Sequence, residues 1–202
     1  MYKFSGITVI SCADPERKII SGIFLSMDCQ GSGMGLMEIL WPLFFPILAT
    51  IIAAVHIAVK KYTGTEALGA FLMWQLAAGF GLSLLWGGIG HLFFPDMVAQ
   101  SIGWPTGSPF QREVGMWDAA IGIVGLLCLK YRDGFWTAML TGAGIFSISA
   151  GLGHIWELAV NGNTAPNNAG AVMYLDILYP LFLAALLIWY RKKCTAEGTS
   201  PG

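Results

Sequence analysis

Apolar residues gather along the chain into five long runs, residues 39–59, 67–94, 114–131, 135–159 and 171–190, with polar residues crowded into the short segments between them. A helix crosses a hydrocarbon core in about 20 mostly apolar residues, and each run is near that length. The second is long enough to tilt or to run past the interface. Tryptophan and tyrosine mark many of the run ends (Trp41, Tyr62, Tyr131, Trp136, Trp156, Tyr174 and Trp189), as interfacial anchors do. The pattern predicts an all-α integral membrane helix bundle of about five transmembrane helices.

Basic residues orient that bundle, because cytoplasmic loops carry an excess of lysine and arginine. Lys60 and Lys61 follow the first run, Lys130 and Arg132 join the third to the fourth, and Arg191, Lys192 and Lys193 follow the fifth. The opposite connections hold only Arg112, and one of them, 161–168, has no charge. This alternation predicts a cell-membrane protein with its N-terminus outside and its C-terminus in the cytoplasm. Residues 34–193 then form the transmembrane bundle and 194–202 a cytoplasmic tail. Residues 1–33 read as a mobile tail: their apolar run, 19–27, is too short to span and follows a charged stretch, 14–18. It is either a weak signal peptide or the product of an upstream start, with Met27 and Met34 as the alternatives.

Composition agrees. The mean hydropathy is +0.64 and charged residues make up 11% of the chain, where a soluble domain carries about 25%. Lipid is therefore the expected partner, with a membrane-complex or homo-oligomer partner also in view. A net charge of −1 excludes a nucleic-acid surface. The four cysteines form no CxxC pair and give neither a zinc site nor a disulfide framework; Cys128 reads as a small apolar helix residue.

The runs resemble one another. The first opens Glu38-Ile-Leu-Trp-Pro-Leu-Phe44 and the fifth contains Asp176-Ile-Leu-Tyr-Pro-Leu-Phe182. The second ends Gly88-Ile-Gly-His-Leu92 and the fourth ends Gly151-Leu-Gly-His-Ile155, while the third places Asp118 near its start. Odd helices begin with an acid and even helices finish with a histidine, which points to internal duplication.

Seven ionisable residues fall inside or at the edge of the spans, all near the outer face: Glu38, His91, Glu113, Asp118, His154, Glu157 and Asp176. An isolated charge at a helix centre costs about 2.5–3.5 kcal/mol on insertion scales, so such groups usually face the bundle interior and pair. Gly79, Ser83, Gly87 and His91 recur every four residues, and Gly144, Ser147, Gly151 and His154 every three or four. These stripes of small residues are where membrane helices pack closely, and they turn the histidines inward; Asp118 shares a face with Gly122 and Gly125. Ser108, Pro109 and Gln111 read as a helix start with a capping box. The preceding connection, 95–107, is placed to fold over the cluster as a lid. His56, alone at the cytoplasmic end, reads as structural.

Histidines and carboxylates from several helices are the parts of a bundle metal centre for zinc, iron or manganese. On that reading the ligands come from His91, Glu113, Asp118, His154, Glu157 and Asp176. The same parts suit small-molecule binding, or an acid–base site of a membrane enzyme acting on a lipid or quinone-like substrate. Axial haem ligation by two histidines ranks below these. A small transporter is a further reading, weakened by how little polarity the cytoplasmic half offers beyond Gln75 and His56. The plainest alternative is a hydrogen-bonded polar plug that fixes helix register.

Two motifs carry a resemblance: Gly90-His-Leu-Phe-Phe-Pro-Asp96 and Ile102-Gly-Trp-Pro-Thr-Gly-Ser-Pro-Phe-Gln-Arg-Glu-Val-Gly115. With them the chain resembles a family of uncharacterised prokaryotic multi-pass membrane proteins. More loosely it is similar to the DoxX-like four-helix membrane proteins, over residues 67–190, with the first helix and the tail as additions. That likeness implies a four-helix core and an association with membrane redox chemistry and quinones. The functional reading of the residues is a small membrane protein that binds a metal or small molecule at the outer face, as an accessory subunit of a redox or transport system would. Where many DoxX-like chains carry a lysine before the loop proline, this chain carries His91.

Overall fold

A computed structural model of the chain describes residues 41–199, and within them every regular element is helical. Glu38 and the expected N-terminal tail lie outside the described residues. A 3-10 turn, Trp41–Leu43, leads into α1 (Phe44–Lys60). Next come α2 (Gly64–Phe93), α3 (Pro95–Ile102), α4 (Phe110–Leu127), α5 (Gly134–Asn161), the short α6 (Pro166–Ala169) and α7 (Ala171–Ala196).

Four helical stretches are long and apolar enough to cross a membrane: Trp41–Lys60, Gly64–Phe93, Gly134–Asn161 and Pro166–Ala196. The third run of the sequence, α4, is not among them, because its 18 residues include Arg112, Glu113 and Asp118. Large apolar side chains stand outward on every long helix. On α1, Phe44, Ile47, Ile51, Val55 and Val59 form an exposed stripe; Ile145, Leu152 and Trp156 do so on α5, and Leu178, Leu181 and Ile188 on α7. Water does not tolerate so continuous an apolar surface, so the bundle's surroundings are lipid.

Lipid gives helices no hydrophobic reason to associate, and close backbone approach does that work instead. Along α2 and α4, glycines face each other. A Cβ built on Gly125 meets the Cα of Gly81 at 2.6 Å, and one built on Gly88 meets the carbonyl of Gly115 at 3.0 Å. Along α5 and α7 the same device recurs: a Cβ on Gly151 meets Ile177 Cγ1 at 2.7 Å and Asp176 Cβ at 3.1 Å. The structure is thus two helix pairs, α2 with α4 and α5 with α7, and α1 lies against α2 from outside through Ala49 and Ala53.

The interior is divided by polarity along the bundle axis. At the end carrying Lys60, Lys130, Arg132 and Arg191, an apolar core including Leu72, Leu76, Trp136, Met139, Leu183 and Leu187 joins the two pairs. Cys128 and Cys194 are buried in it as free thiols. At the opposite, histidine-bearing end polar side chains are buried as well, Gln111, Asp118, Ser147, His154 and Asn168, beside Ala99, Ile102 and Met173.

Midway, α2 departs from α-geometry. Residues Gln75–Gly81 are wound as a π-helix with all seven residues buried. Such widened turns are uncommon and concentrate at functional positions. Here Gln75, 2% exposed, donates through Nε2 to Thr50 Oγ1 of α1 at 2.8 Å, and its Oε1 accepts from the Tyr179 hydroxyl of α7 at 2.7 Å. One amide therefore ties three helices at mid-depth, where an unsatisfied polar group has no water to turn to.

Candidate functional site

The two histidines are held in the same way. His91, near the end of α2, places Nδ1 2.6 Å from Oε1 of Gln111, in the first turn of α4. His154, near the end of α5, places Nδ1 2.9 Å from Oδ1 of Asn168, in α6 just before α7. In each unit a glycine-flanked histidine closes an ascending helix, a short helix follows, and a side-chain amide at the next descending helix receives the ring. Asp118 and Asp176 then lie seven and eight residues beyond those amides. The segments α2–α3–α4 and α5–α6–α7 are built alike and run in the same direction.

His154 is the better defined of the two. Asn168 Nδ2 donates to the carbonyls of Asn163 and His154 at 2.8 and 3.3 Å, so Oδ1 is the atom left to receive the ring. An amide oxygen only accepts, which makes His154 Nδ1 the donor. Nε2 is then left facing Asp176 Oδ2 across 3.8 Å. Two acceptors in that position need a donor between them, either a proton or a donor group of a ligand, and 3.8 Å is too long for a direct hydrogen bond.

Asp176 is held from the other side by the Ser147 hydroxyl, which donates to Oδ1 at 3.3 Å. Four residues on, Pro180 has no N–H to give the Asp176 carbonyl, so this backbone oxygen lacks its usual helical donor. Asp118, on α4, lies within Coulombic reach of Asp176. It is 6% exposed, and its Oδ1 has no hydrogen-bond partner among the described residues. Its Oδ2 looks at Gly87 of α2, 3.2 Å from where a Cβ there would be. Burying a carboxylate oxygen with nothing to accept from is costly, so this carboxyl is the unsatisfied centre of the cluster. Asp176 leaves 26% of its side chain open.

The connection over this end is a helix rather than the loop expected from sequence. Pro95 occupies the first turn of α3 and Gly103 ends it in the left-handed region, at φ 78°. Asn163 Nδ2 donates to the Ile102 carbonyl at 2.8 Å, and Asn167 Nδ2 to Ser101 Oγ at 3.0 Å. The Trp104 ring lies over the His154 ring, centroids 6.3 Å apart and 26° from parallel. α3 and the residues after it are thereby fastened to the α5–α7 connection.

Of the six residues expected to form one site, the structure brings His154 and Asp176 within 3.8 Å of each other, with Asp118 in coulombic reach of Asp176. His91 is engaged with Gln111. Glu113 is exposed, and Glu157 takes a hydrogen bond from Asn161 at 3.0 Å on the helix surface. Among the described residues no three His, Cys, Asp or Glu side chains are grouped as a metal ion requires. The helix-start reading of 108–111 is corrected in part: the Ser108 hydroxyl accepts from the Phe110 N–H at 3.3 Å, but Gln111 turns to His91 instead of closing a capping box. Asn168 was missed, since one asparagine among several in a chargeless loop carries no periodic signal.

A search of curated proteins and a search of solved structures each found no match to this chain. Residues 39–196 match a family of unknown function, DUF6790, and the chain belongs to that family.

Proposed function

We propose that this chain is a multi-pass membrane protein that binds a small cationic ligand between its two helix pairs, at Asp118, Asp176 and His154, beneath α3. The observation that carries the reading is the buried Asp118 oxygen without a partner. A cation bearing N–H or O–H donors would satisfy it and fill the gap between His154 Nε2 and Asp176 Oδ2. In this reading α4 is the fifth span, its charges turned to the site or to the interface, and α1 is an addition to a four-helix core. Orientation follows the basic residues, which puts the site on the outer side. A divalent metal is the less supported occupant, because the site gathers too few ligands of its own.

The test is thermal stability of the purified protein in nanodiscs, titrated separately with sodium, potassium, methylammonium and guanidinium chloride. A ligand that binds only the folded state stabilises it by RT ln(1 + [L]/Kd). At least one of these cations should raise the melting temperature saturably in the wild type and in Glu113→Gln, but not in Asp118→Asn. No saturable shift with any of them, or an unchanged shift in Asp118→Asn, overturns the reading.

A further inference from the structure

At its basic end the bundle holds an open cavity of about 620 Å³. The end of α1, the first turns of α2, the turn before α5 and the end of α7 form its walls, through His56, Thr65, Glu66, Arg132, Tyr190 and Glu197 among others. The apolar core of Leu72, Leu76 and Leu183 lies between it and the histidine end. It is therefore a chamber separate from the cation site.

Two side chains on its wall hold donors without a proper acceptor. The Arg132 guanidinium lies over the Trp136 ring at 5.7 Å and turns one nitrogen to the Met73 sulfur at 3.6 Å, a weak acceptor for a group with five N–H bonds. The neighbouring acid, Asp133, is taken by Arg191 at 2.9 Å, and among the described residues no carboxylate pairs with Arg132. His56 is fixed by its neighbours. The Trp74 indole N–H donates to its Nδ1 at 2.9 Å, which puts the proton of the neutral ring on Nε2. Tyr62 and Trp74 hold the ring edge-on, with centroids 5.5 and 6.1 Å away.

The start of α2 adds further donors. Thr63-Gly-Thr-Glu66 is a capping-box sequence, yet Thr63 makes no side-chain cap bond. Its carbonyl takes the N–H groups of Glu66 and Ala67 at 3.2 and 3.4 Å. Those of Gly64 and Thr65 are left at the positive end of the helix dipole, with no partner among the described residues. Thr65 Oγ1 is buried without a partner as well, and rotation toward the cavity it lines would supply one. The Glu66 carboxylate, not drawn into the cap, lines the same cavity with Glu197, and both residues are exposed.

An oxyanion answers these donors, and both an arginine fork and a helix N-terminus suit phosphate. A bare anion would be repelled by Glu66 and Glu197. The ligand must therefore carry a cation beside its phosphate, and carboxylates suit an ammonium with N–H bonds to give. We propose that this cavity binds a phosphoethanolamine group. Its phosphate lies between Arg132, His56 Nε2 and the first turn of α2, and its primary ammonium lies toward Glu66 and Glu197. Lys60, Lys61 and Lys130 mark this end as a membrane–water boundary, so the group has two sources, an ethanolamine phospholipid and a soluble phosphate monoester.

The experiment titrates the full chain, purified in a maltoside detergent, with phosphoethanolamine, phosphocholine, inorganic phosphate and ethanolamine by isothermal calorimetry. Wild type should bind phosphoethanolamine saturably and more tightly than the other three. Arg132→Gln should weaken that binding about tenfold or more and Thr65→Val about threefold, both keeping the wild-type helical content. The double variant Glu66→Gln with Glu197→Gln should lose the preference over phosphocholine, and Lys130→Gln, which keeps the cavity wall intact, should match wild type. Repeating the titration in phosphatidylcholine nanodiscs separates the sources. Phosphatidylethanolamine added to the bilayer should abolish binding of the soluble probe if the lipid is the occupant, and leave it unchanged if the monoester is. No saturable binding, phosphate or phosphocholine bound as tightly as phosphoethanolamine, or wild-type affinity in Arg132→Gln overturns the proposal.

Discussion

Replacing Gly122 by alanine tests whether the α2–α4 contact holds the bundle together. The added Cβ would lie 2.6 Å from Leu85 Cγ, 2.8 Å from the Leu85 backbone nitrogen and 2.9 Å from the Gly81 carbonyl. Leu85 can swing its side chain, but the two backbone atoms cannot move without their helix. Such contacts relax at about 3.5–4.0 Å, so the helices must part by roughly 0.6–1.2 Å. Overpacking of this kind costs about 1–3 kcal/mol, against about 0.8–1.0 kcal/mol that alanine returns over glycine in helix propensity. The expected net loss is up to about 2 kcal/mol, read from reversible unfolding in mixed detergent–SDS micelles by tryptophan fluorescence. Gly142→Ala is the internal control: nothing lies within 4 Å of a Cβ there, and it should be neutral or slightly stabilising. Asp118 sits one turn from Gly122, so the same substitution should weaken cation stabilisation. Unfolding of Gly122→Ala at the wild-type SDS fraction, or an equal loss in Gly142→Ala, refutes the reasoning.

Two further outcomes are expected. In a double-mutant cycle of Gln75→Leu with Tyr179→Phe, the coupling should be about 0.6 kcal/mol, the average for interhelical hydrogen bonds in membranes, and at most about 1.7 kcal/mol; zero coupling would show that the 2.7 Å contact contributes nothing. Reporter fusions should read external within 161–168 and cytoplasmic after Lys193, and the reverse pattern would move the carboxylate pair to the cytoplasmic side.

The long apolar runs were legible because a membrane span is specified by its own composition and needs no tertiary context. The inward aim of Asp118 and His154 was legible too, since glycine and serine at helical spacing mark the packed face. Other features depend on partners that periodicity does not encode. Gln111 offered itself as a cap, yet a histidine twenty residues earlier claimed its amide. The π segment left no trace, because Gln75 turns inward only once Thr50 and Tyr179 are both in reach. α3 carried its start and stop signals, Pro95 and Gly103, but eight residues of modest apolarity do not stand out between two longer runs. α4 shows the limit most clearly: Arg112, Glu113 and Asp118 make it a poor span by composition, and Asp118 is the residue on which the proposed site turns.

The division of the interior explains how the chain tolerates such a residue. Helix association in lipid rests on packing, and here it is supplied by the glycine contacts of α2–α4 and α5–α7 and by the core around Trp136, whose indole N–H is itself satisfied by the Cys128 carbonyl at 3.0 Å. A costly arrangement can persist where surrounding structure over-determines it, and such arrangements gather at working sites. Asp118 is flanked by two of the closest glycine contacts on α4, at Gly115 and Gly122, so its helix cannot rotate to take the carboxyl elsewhere. The unsatisfied oxygen is thus held in place by backbone packing. That is what the proposed binding site requires, whereas a polar plug would be expected to relax until its groups are paired.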